Sequence, residues 1–292
     1  MSEKVIKSYK AFDKNMQCRG FQYEIGKEYE MDGEIKCCDR GFHACKSPME
    51  VWDYYDMLNS RFAEVEQSGK IDEEGNSTKV CSSHIKIKAE LKLADIIKVG
   101  VEWLKDITSP TKVKTDIAKN DNGGVYAKIG SSGDSAKIGS SGVYAKIGSS
   151  GDYAQIGSSG DSAKIGSSGV YAKIGSSGDS AKIGSSGDYA QIGSSGDYAK
   201  IGSSGDSAQI GSSGDYAQID STGEDSVIMC AGKESIAKAK AGSWITLSEW
   251  KWNDEKNRYV PVCVKTEYVD GENIKADTWY QLKNGEFVEV TE

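Results

Sequence analysis

The sequence predicts a mainly β protein: a two-sided parallel β-solenoid of about eighteen residues per coil, flanked by a small α+β N-terminal domain and a small β C-terminal cap. Three observations carry that expectation. From Gly124 onward a nine-residue unit, G-[D/V]-[Y/S]-A-[K/Q]-I-G-S-S, recurs eleven times almost without error. Within each unit Ala and Ile fall on one parity and Lys or Gln on the other, the alternation of a half-buried strand. With 37% hydrophobic residues and 34 glycines, the 292-residue chain suits a thin repetitive core rather than one large globular one.

In the unit at residues 133–141, GDSAKIGSS, residues 134–138 read as the strand, with Ala136 and Ile138 inward and Ser135 and Lys137 outward. The run Gly139-Ser140-Ser141-Gly142 reads as a corner whose glycines supply positive φ. One unit cannot fold alone. Burying its Ile contributes roughly 1.5–3 kcal/mol, whereas ordering nine residues costs about 1.5 kcal/mol each. Neighbouring coils must supply the difference. The small Ala positions imply two opposed strands per coil, and so two units per turn.

That geometry stacks Lys128, Lys146, Lys164, Lys182 and Lys200 in one column and Tyr153, Tyr171 and Tyr189 in another. A lysine column suits phosphates, and a tyrosine column suits ring stacking. Either also serves simply to solvate and shield a sheet. Eight of the eleven units carry Asp against seven lysines, so the array is close to neutral. The unit has the length of calcium-binding nonapeptides, but Val125, Val143 and Val170 replace the intermittent carboxylate, too few oxygens for calcium. Asp is expected to cap its own turn, and no metal or cofactor is expected.

A net charge of -8 lacks the basic surplus of a dedicated nucleic-acid binder, so direct nucleic-acid binding is not expected. The first ten residues are charged and no run approaches a membrane span, which argues for no membrane association. Seven cysteines, Cys37 and Cys38 adjacent, do not form an extracellular disulfide pattern. The cytosol of a host cell is the expected compartment.

Residues 1–109 read as the N-terminal domain, 110–242 as the solenoid and 243–292 as the C-terminal cap. In the first, residues 9–21 and 27–38 contain short strand-like runs. Ser47-Pro48-Met49-Glu50 reads as a helix start with a capping box, its apolar face being Val51, Trp52, Tyr55 and Leu58. Ile85, Ile87, Ala89 and Leu91 alternate as a strand, and residues 94–105 read as a helix with Ile97, Val101 and Leu104 inward. Tyr23, Arg40, His43 and Cys45 form a candidate site. His43 and Cys45 share a strand face, the minimum for a thiol–imidazole pair, although a small core explains them as well. The irregular Cys/His spacing of residues 37–45 does not match a zinc site.

The motifs C-R-G-F-x-Y-x-x-G-x-x-Y and G-F-H-A-C, within residues 18–55, resemble an N-terminal domain of unknown function found in phage and bacterial proteins. There it precedes Ala/Ser/Gly-rich solenoid repeats. The resemblance implies a phage or prophage source and an architecture, not a reaction.

Thr108-Ser109-Pro110 marks a boundary, and residues 112–120 read as an irregular first coil. Residues 223–231 keep the repeat spacing, whereas 233–240 read as drifting in register. Beyond Gly242, strand-like runs are joined by Asp270-Gly271 and Asn284-Gly285 turns. The tryptophans there are expected to close the end of the solenoid; as an alternative, Trp250, Trp252 and Trp279 form an aromatic recognition patch. The chain is thus expected to be a non-enzymatic macromolecule-binding protein, docking on and inhibiting a host protein or ribonucleoprotein complex of defence or nucleic-acid processing. The alternatives are a structural or virion repeat protein that homo-oligomerises, and a small-ligand binder or enzyme using the N-terminal domain.

Overall fold

The computed structural model describes residues 5–73, 78–108 and 124–290. They fall into two compact units, Met1–Trp103 and Leu104–Glu292. The fold is mainly β, with a solenoid of about seven turns.

The first unit is antiparallel. Its strands are β1 (Ile6–Phe12), β2 (Gln17–Cys18), β3 (Phe21–Gln22), β4 (Glu28–Glu30), β5 (Phe42–Cys45), β6 (Arg61–Glu73) and β7 (Lys79–Leu91). Pairings β7–β5, β5–β1, β1–β6 and β6–β7 close a ring, so the sheet wraps on itself. Phe12, Phe42, Val65, Ile85 and Ile87 fill it, the last two on the parity that alternation predicts. Helix α1 (Leu93–Thr108) follows, with Ile97, Val101 and Leu104 buried as the 3.6-residue spacing predicts.

Residues 48–53 depart from expectation. They form a short 3-10 helix, Pro48–Asp53, to which Ser47 gives no side-chain cap. The Glu50 carboxylate is spent elsewhere: it accepts from the Thr78 backbone N–H at 3.0 Å and its hydroxyl at 2.5 Å. The residue just before β7, 28 positions away, has taken the capping group, and the helix stops after Asp53.

In the second unit, among the described residues, thirteen four-residue strands run from β8 (Lys128–Ser131) to β20 (Ile236–Ala239). Alternate strands stack in parallel, Lys146 level with Lys164 and Lys164 with Lys182, an offset of eighteen residues. Two sheets result. The first carries the Lys128, Lys146 and Lys164 rungs, and the second the Lys137, Gln155 and Lys173 rungs. Between them run facing columns of isoleucine, Ile147, Ile165 and Ile183 opposite Ile156, Ile174 and Ile192. Ala and the first Ser of each unit, such as Ala181 and Ser185, complete the interior.

The strand begins three residues later than the propensity reading placed it and ends two later: Lys-Ile-Gly-Ser is strand and Gly-Asp-Tyr is corner. The glycines do not supply the left-handed residue. Tyr or Ser does, at φ 58° in Tyr171 and 56° in Ser180. That conformation costs an ordinary residue about 1–2 kcal/mol. Two contacts to the neighbouring coil offset it. The Tyr171 N–H donates to the Asp188 carbonyl at 2.9 Å. The Val170 N–H donates to Asp152 Oδ1 at 2.8 Å, so Asp bridges to the next coil rather than capping its own turn.

Corner glycine has a different duty. A Cβ on Gly178 would stand 2.2 Å from the Gly160 carbonyl oxygen one coil below. The same overlap recurs at Gly160, Gly187 and Gly205. Only a residue without a side chain lets the coils approach within a parallel ladder's spacing of about 4.8 Å.

At the C-terminal end the two sheets continue rather than giving way to a third domain. Strand β21 (Trp244–Asn253) runs parallel to the Val227 rung of the second sheet and returns as β22 (Arg258–Tyr268). Strands β23 (Tyr280–Lys283) and β24 (Glu286–Glu289) form a hairpin antiparallel to β20 on the first sheet. Val269, Ile274, Tyr280 and Leu282 close the core, not the tryptophans. Ala237 stands level with Ile219, so residues 233–240 hold their register. The first coil expected at residues 112–120 lies outside the described residues.

The two glycines of one unit should respond oppositely to substitution. Gly178→Ala is expected to destabilise by about 3 kcal/mol or more through backbone overlap, whereas Gly175→Ala, with nothing within 4 Å, is neutral or stabilising by up to about 1 kcal/mol. Among the described residues the buried Ser185 hydroxyl has no hydrogen-bond partner, so Ser185→Ala should likewise not destabilise. Urea unfolding midpoints of the three variants decide this.

Candidate functional site

The lysine column forms in the expected register, Lys128 through Lys200 on consecutive rungs of the first sheet. It is not an open phosphate track. Lys146 and Lys164 are only 6% and 3% exposed. Tyr153, Tyr171 and Tyr189 stack at the corners, with ring centroids 5.1 and 4.9 Å apart and planes within 13°. A second edge carries the pairs Tyr126–Tyr144 and Tyr198–Tyr216, at 5.3 and 5.0 Å. These ladders spend one ring face on the next tyrosine, at about 0.5–1.5 kcal/mol per pair.

The three tryptophans do not converge. Trp250 donates its indole N–H to the Ala231 carbonyl at 2.9 Å, Trp279 is buried with Lys238 Nζ 5.0 Å from its ring, and Trp252 lies exposed, edge-on to Tyr259.

What sequence reasoning missed is the outer face of the second sheet. Its outward positions alternate between a Lys/Gln column, from Lys137 through Gln155, Lys173, Gln191 and Gln209 to Val227, and a glycine column, from Gly139 to Gly211 and then Met229. At Gly139, Gly157, Gly175, Gly193 and Gly211 nothing stands within 4 Å of where a Cβ would be. The result is an open trough of about 990 Å³, floored by backbone and railed by Lys and Gln. The trough runs into an apolar end. Val227, Trp244 and Tyr268 form one row and Met229 stands beside it, Met229 53% and Trp244 47% exposed.

The first unit holds an enclosed site. Tyr23, Arg40, His43 and Cys45 all line one cavity of about 380 Å³, as their grouping in the sequence suggests. Strand β1 adds Lys10, β5 brings His43 and Cys45, residues 18–23 add Cys18, Arg19 and Phe21, and the end of the 3-10 helix adds Tyr54 and Tyr55. Arg19 and Cys38 hold left-handed backbone at φ 51° and 69°.

Lys10 was missed, and it is the central group. It is 4% exposed, on the same parity as buried Ser8 and Phe12, a phase in which a lone lysine is a signal. Its ammonium donates to the His43 carbonyl at 2.9 Å and to Cys18 Sγ at 3.4 Å, and lies 5.6 and 5.3 Å from the Phe12 and Tyr23 ring centroids. No carboxylate is among these partners. Burial holds its pKa below the ordinary lysine value.

Four further groups, Tyr23, Tyr55, Cys45 and His43, are shifted towards their neutral forms. Burial raises the Tyr23 phenol. It also raises Tyr55, whose hydroxyl donates to Cys18 Sγ at 2.7 Å. Cys45 is pushed up to about 12 by burial, then by the Glu50 and Asp53 charges. His43 is lowered by burial and by the Lys10 and Arg19 charges, and its Nε2 accepts the Cys38 N–H at 3.0 Å. A neutral thiol beside an imidazole already committed to a backbone N–H is not an activated nucleophile pair. Among the described residues no group of three or more His, Cys, Asp or Glu is arranged to hold a metal ion, and no helix is long and apolar enough to cross a membrane.

Alkylation should sort the thiols accordingly. Cys38 is exposed, whereas burial pushes Cys45, Cys81 and Cys230 up to about 12. Their thiolate fraction rises with pH only near that value, so at pH 8 they should react at least about a hundredfold more slowly than Cys38. Peptide mapping after timed iodoacetamide treatment reads the order.

Residues 6–99 match a family model described as Domain of unknown function (DUF7666). No curated protein and no solved structure matches the chain. The first unit, cavity included, is therefore similar to a family whose description assigns no activity.

Proposed function

We propose that this chain is a non-enzymatic macromolecule-binding protein whose recognition surface is the open outer face of the second solenoid sheet. The observation that supports it is the bare glycine column leading into exposed Val227, Met229, Trp244 and Tyr268. A glycine in a strand interior costs about 0.5–1 kcal/mol relative to alanine, and on this face no neighbour requires it. Close approach of another backbone is the remaining use for a flat glycine floor. Contiguous exposed apolar side chains at one end are the usual mark of a protein contact.

The partner is a protein, or the protein part of a ribonucleoprotein. Of the five Lys/Gln rungs on the exposed face only Lys137 and Lys173 are cationic, too sparse to track a phosphate backbone. The phage or prophage source implied by the N-terminal motif makes a host protein complex of defence or nucleic-acid processing the target, and inhibition by docking the consequence. A stacked solenoid suits this, because a preorganised surface loses little entropy on binding. A head-to-tail fibre fits less well. Antiparallel hairpins end both sheets at the C-terminal side, where another parallel coil would have to stack.

Filling the trough tests the proposal without touching the fold. Gly175→Gln with Gly193→Gln adds side chains where there is open space, so folding should be unchanged. Affinity capture of the tagged full chain from host cells should recover a stoichiometric protein partner with the native chain and at least tenfold less with the double variant. Equal recovery with both, or none with either, overturns the assignment.

A further inference from the structure

The cavity of the first unit carries an inference independent of the solenoid face. Its charge is one-sided: Lys10, Arg19, Arg40 and Lys79 line it against Asp39 alone. Buried charges in proteins are normally paired, because an unpaired one loses its hydration without replacement. Lys10 breaks that pattern. Of the three donors on its ammonium, one meets a carbonyl oxygen and one a sulfur, and the Phe12 and Tyr23 rings lie alongside. A hydrated surface would hold this cation more comfortably. Its place in the wall of a cavity makes sense when an anion completes it.

The other half of the lining is flat and apolar. Phe21 is 45% exposed, and its ring is braced edge-on by Tyr23 at 4.8 Å and Tyr29 at 5.3 Å. Across the lining Tyr54 is exposed, with Lys79 Nζ 4.3 Å from its ring centroid. Rings held by other rings keep an open face at little entropic cost, the arrangement on which a planar ligand stacks. Cation and ring surface together ask for one molecule with both an anionic and an aromatic end. At about 380 Å³ the cavity lies at the small end of ligand sites.

We propose that this cavity binds a mononucleotide, its phosphate taken by Lys10 and Arg19 and its base laid against Phe21. His43 is not a phosphate ligand in this arrangement, since its Nε2 is already occupied by the Cys38 N–H. It positions Lys10 through its backbone carbonyl.

The test is calorimetric titration of the full chain with AMP, GMP, CMP and UMP in turn, with inorganic phosphate and adenosine as half-ligands. At least one mononucleotide should saturate at one per chain, and both half-ligands should bind at least tenfold more weakly. Arg19 is exposed, so Arg19→Gln is expected to keep the thermal midpoint, Phe21→Leu to lower it only by the lost ring contacts, and each to weaken the nucleotide at least tenfold. Lys10→Met is a poorer probe, because the residue is buried in the strand core. The proposal is overturned if none of the four saturates at millimolar concentration, if both surface variants bind as the native chain does, or if phosphate alone binds as tightly as the best nucleotide. Loss of partner capture by the trough variant leaves this result untouched, so the two readings fail separately.

Discussion

Everything in the second unit follows from how closely one coil lies on the next. With a carbonyl oxygen about 2 Å from where a corner Cβ would sit, Gly is mandatory once per unit, and every unit must turn in the same way for the ladder to continue. Because that glycine is fixed by the approach of coils, it is not free to take the left-handed position. The burden passes to the residue two places on, a tyrosine or serine that pays a conformational cost in every unit. The compensation is cooperative: each strained corner donates its N–H to the next coil, and tyrosines on successive corners stack. A lone coil has no such compensation, and for this reason the units exist only as an array.

Identical units on the two sheets meet different surroundings, and composition follows the difference. Lysine occupies every rung of the first sheet from Lys128 to Lys200, where two of the five are buried. On the second sheet glutamine takes three of the five equivalent places. Glutamine on an open face keeps hydrogen-bonding capacity without the hydration shell an ammonium would have to shed on docking. A protein contact is therefore better served by the face that has lost most of its charge. The parity of Lys against Gln is present in the repeats, but its meaning depends on knowing which of these side chains are buried.

Repetition made the solenoid legible. A nearly error-free nonapeptide fixes the period, and alternation within it fixes which side chains are inward, so coil length and core column follow without any tertiary knowledge. Strand phase did not follow. Gly-Ser-Ser reads locally as a turn, yet in a parallel stack every backbone group of Lys-Ile-Gly-Ser finds a partner one coil away. Glu50 shows the same limit in the first unit, where a local capping-box pattern yields to Thr78 across the fold. The cavity was half visible. Tyr23, Arg40, His43 and Cys45 lie close in sequence because the strand and loop that carry them do, whereas Lys10 reaches them only when β1 pairs with β5.

That cavity is defined by what its groups are prevented from doing. Burial drives phenol, thiol, imidazole and ammonium alike towards their uncharged forms, the signature of a poorly hydrated interior. Proton transfer at neutral pH needs a donor and an acceptor with matched affinities, and here Tyr23 and Cys45 are raised while His43 and Lys10 are lowered. The same dryness strengthens any Coulombic attraction to a charge that enters. For Lys10 the sign is clear: its lowered pKa means that charging it costs the folded state, and an anion alongside would reverse that shift. An interior of this kind suits holding an ion better than relaying a proton.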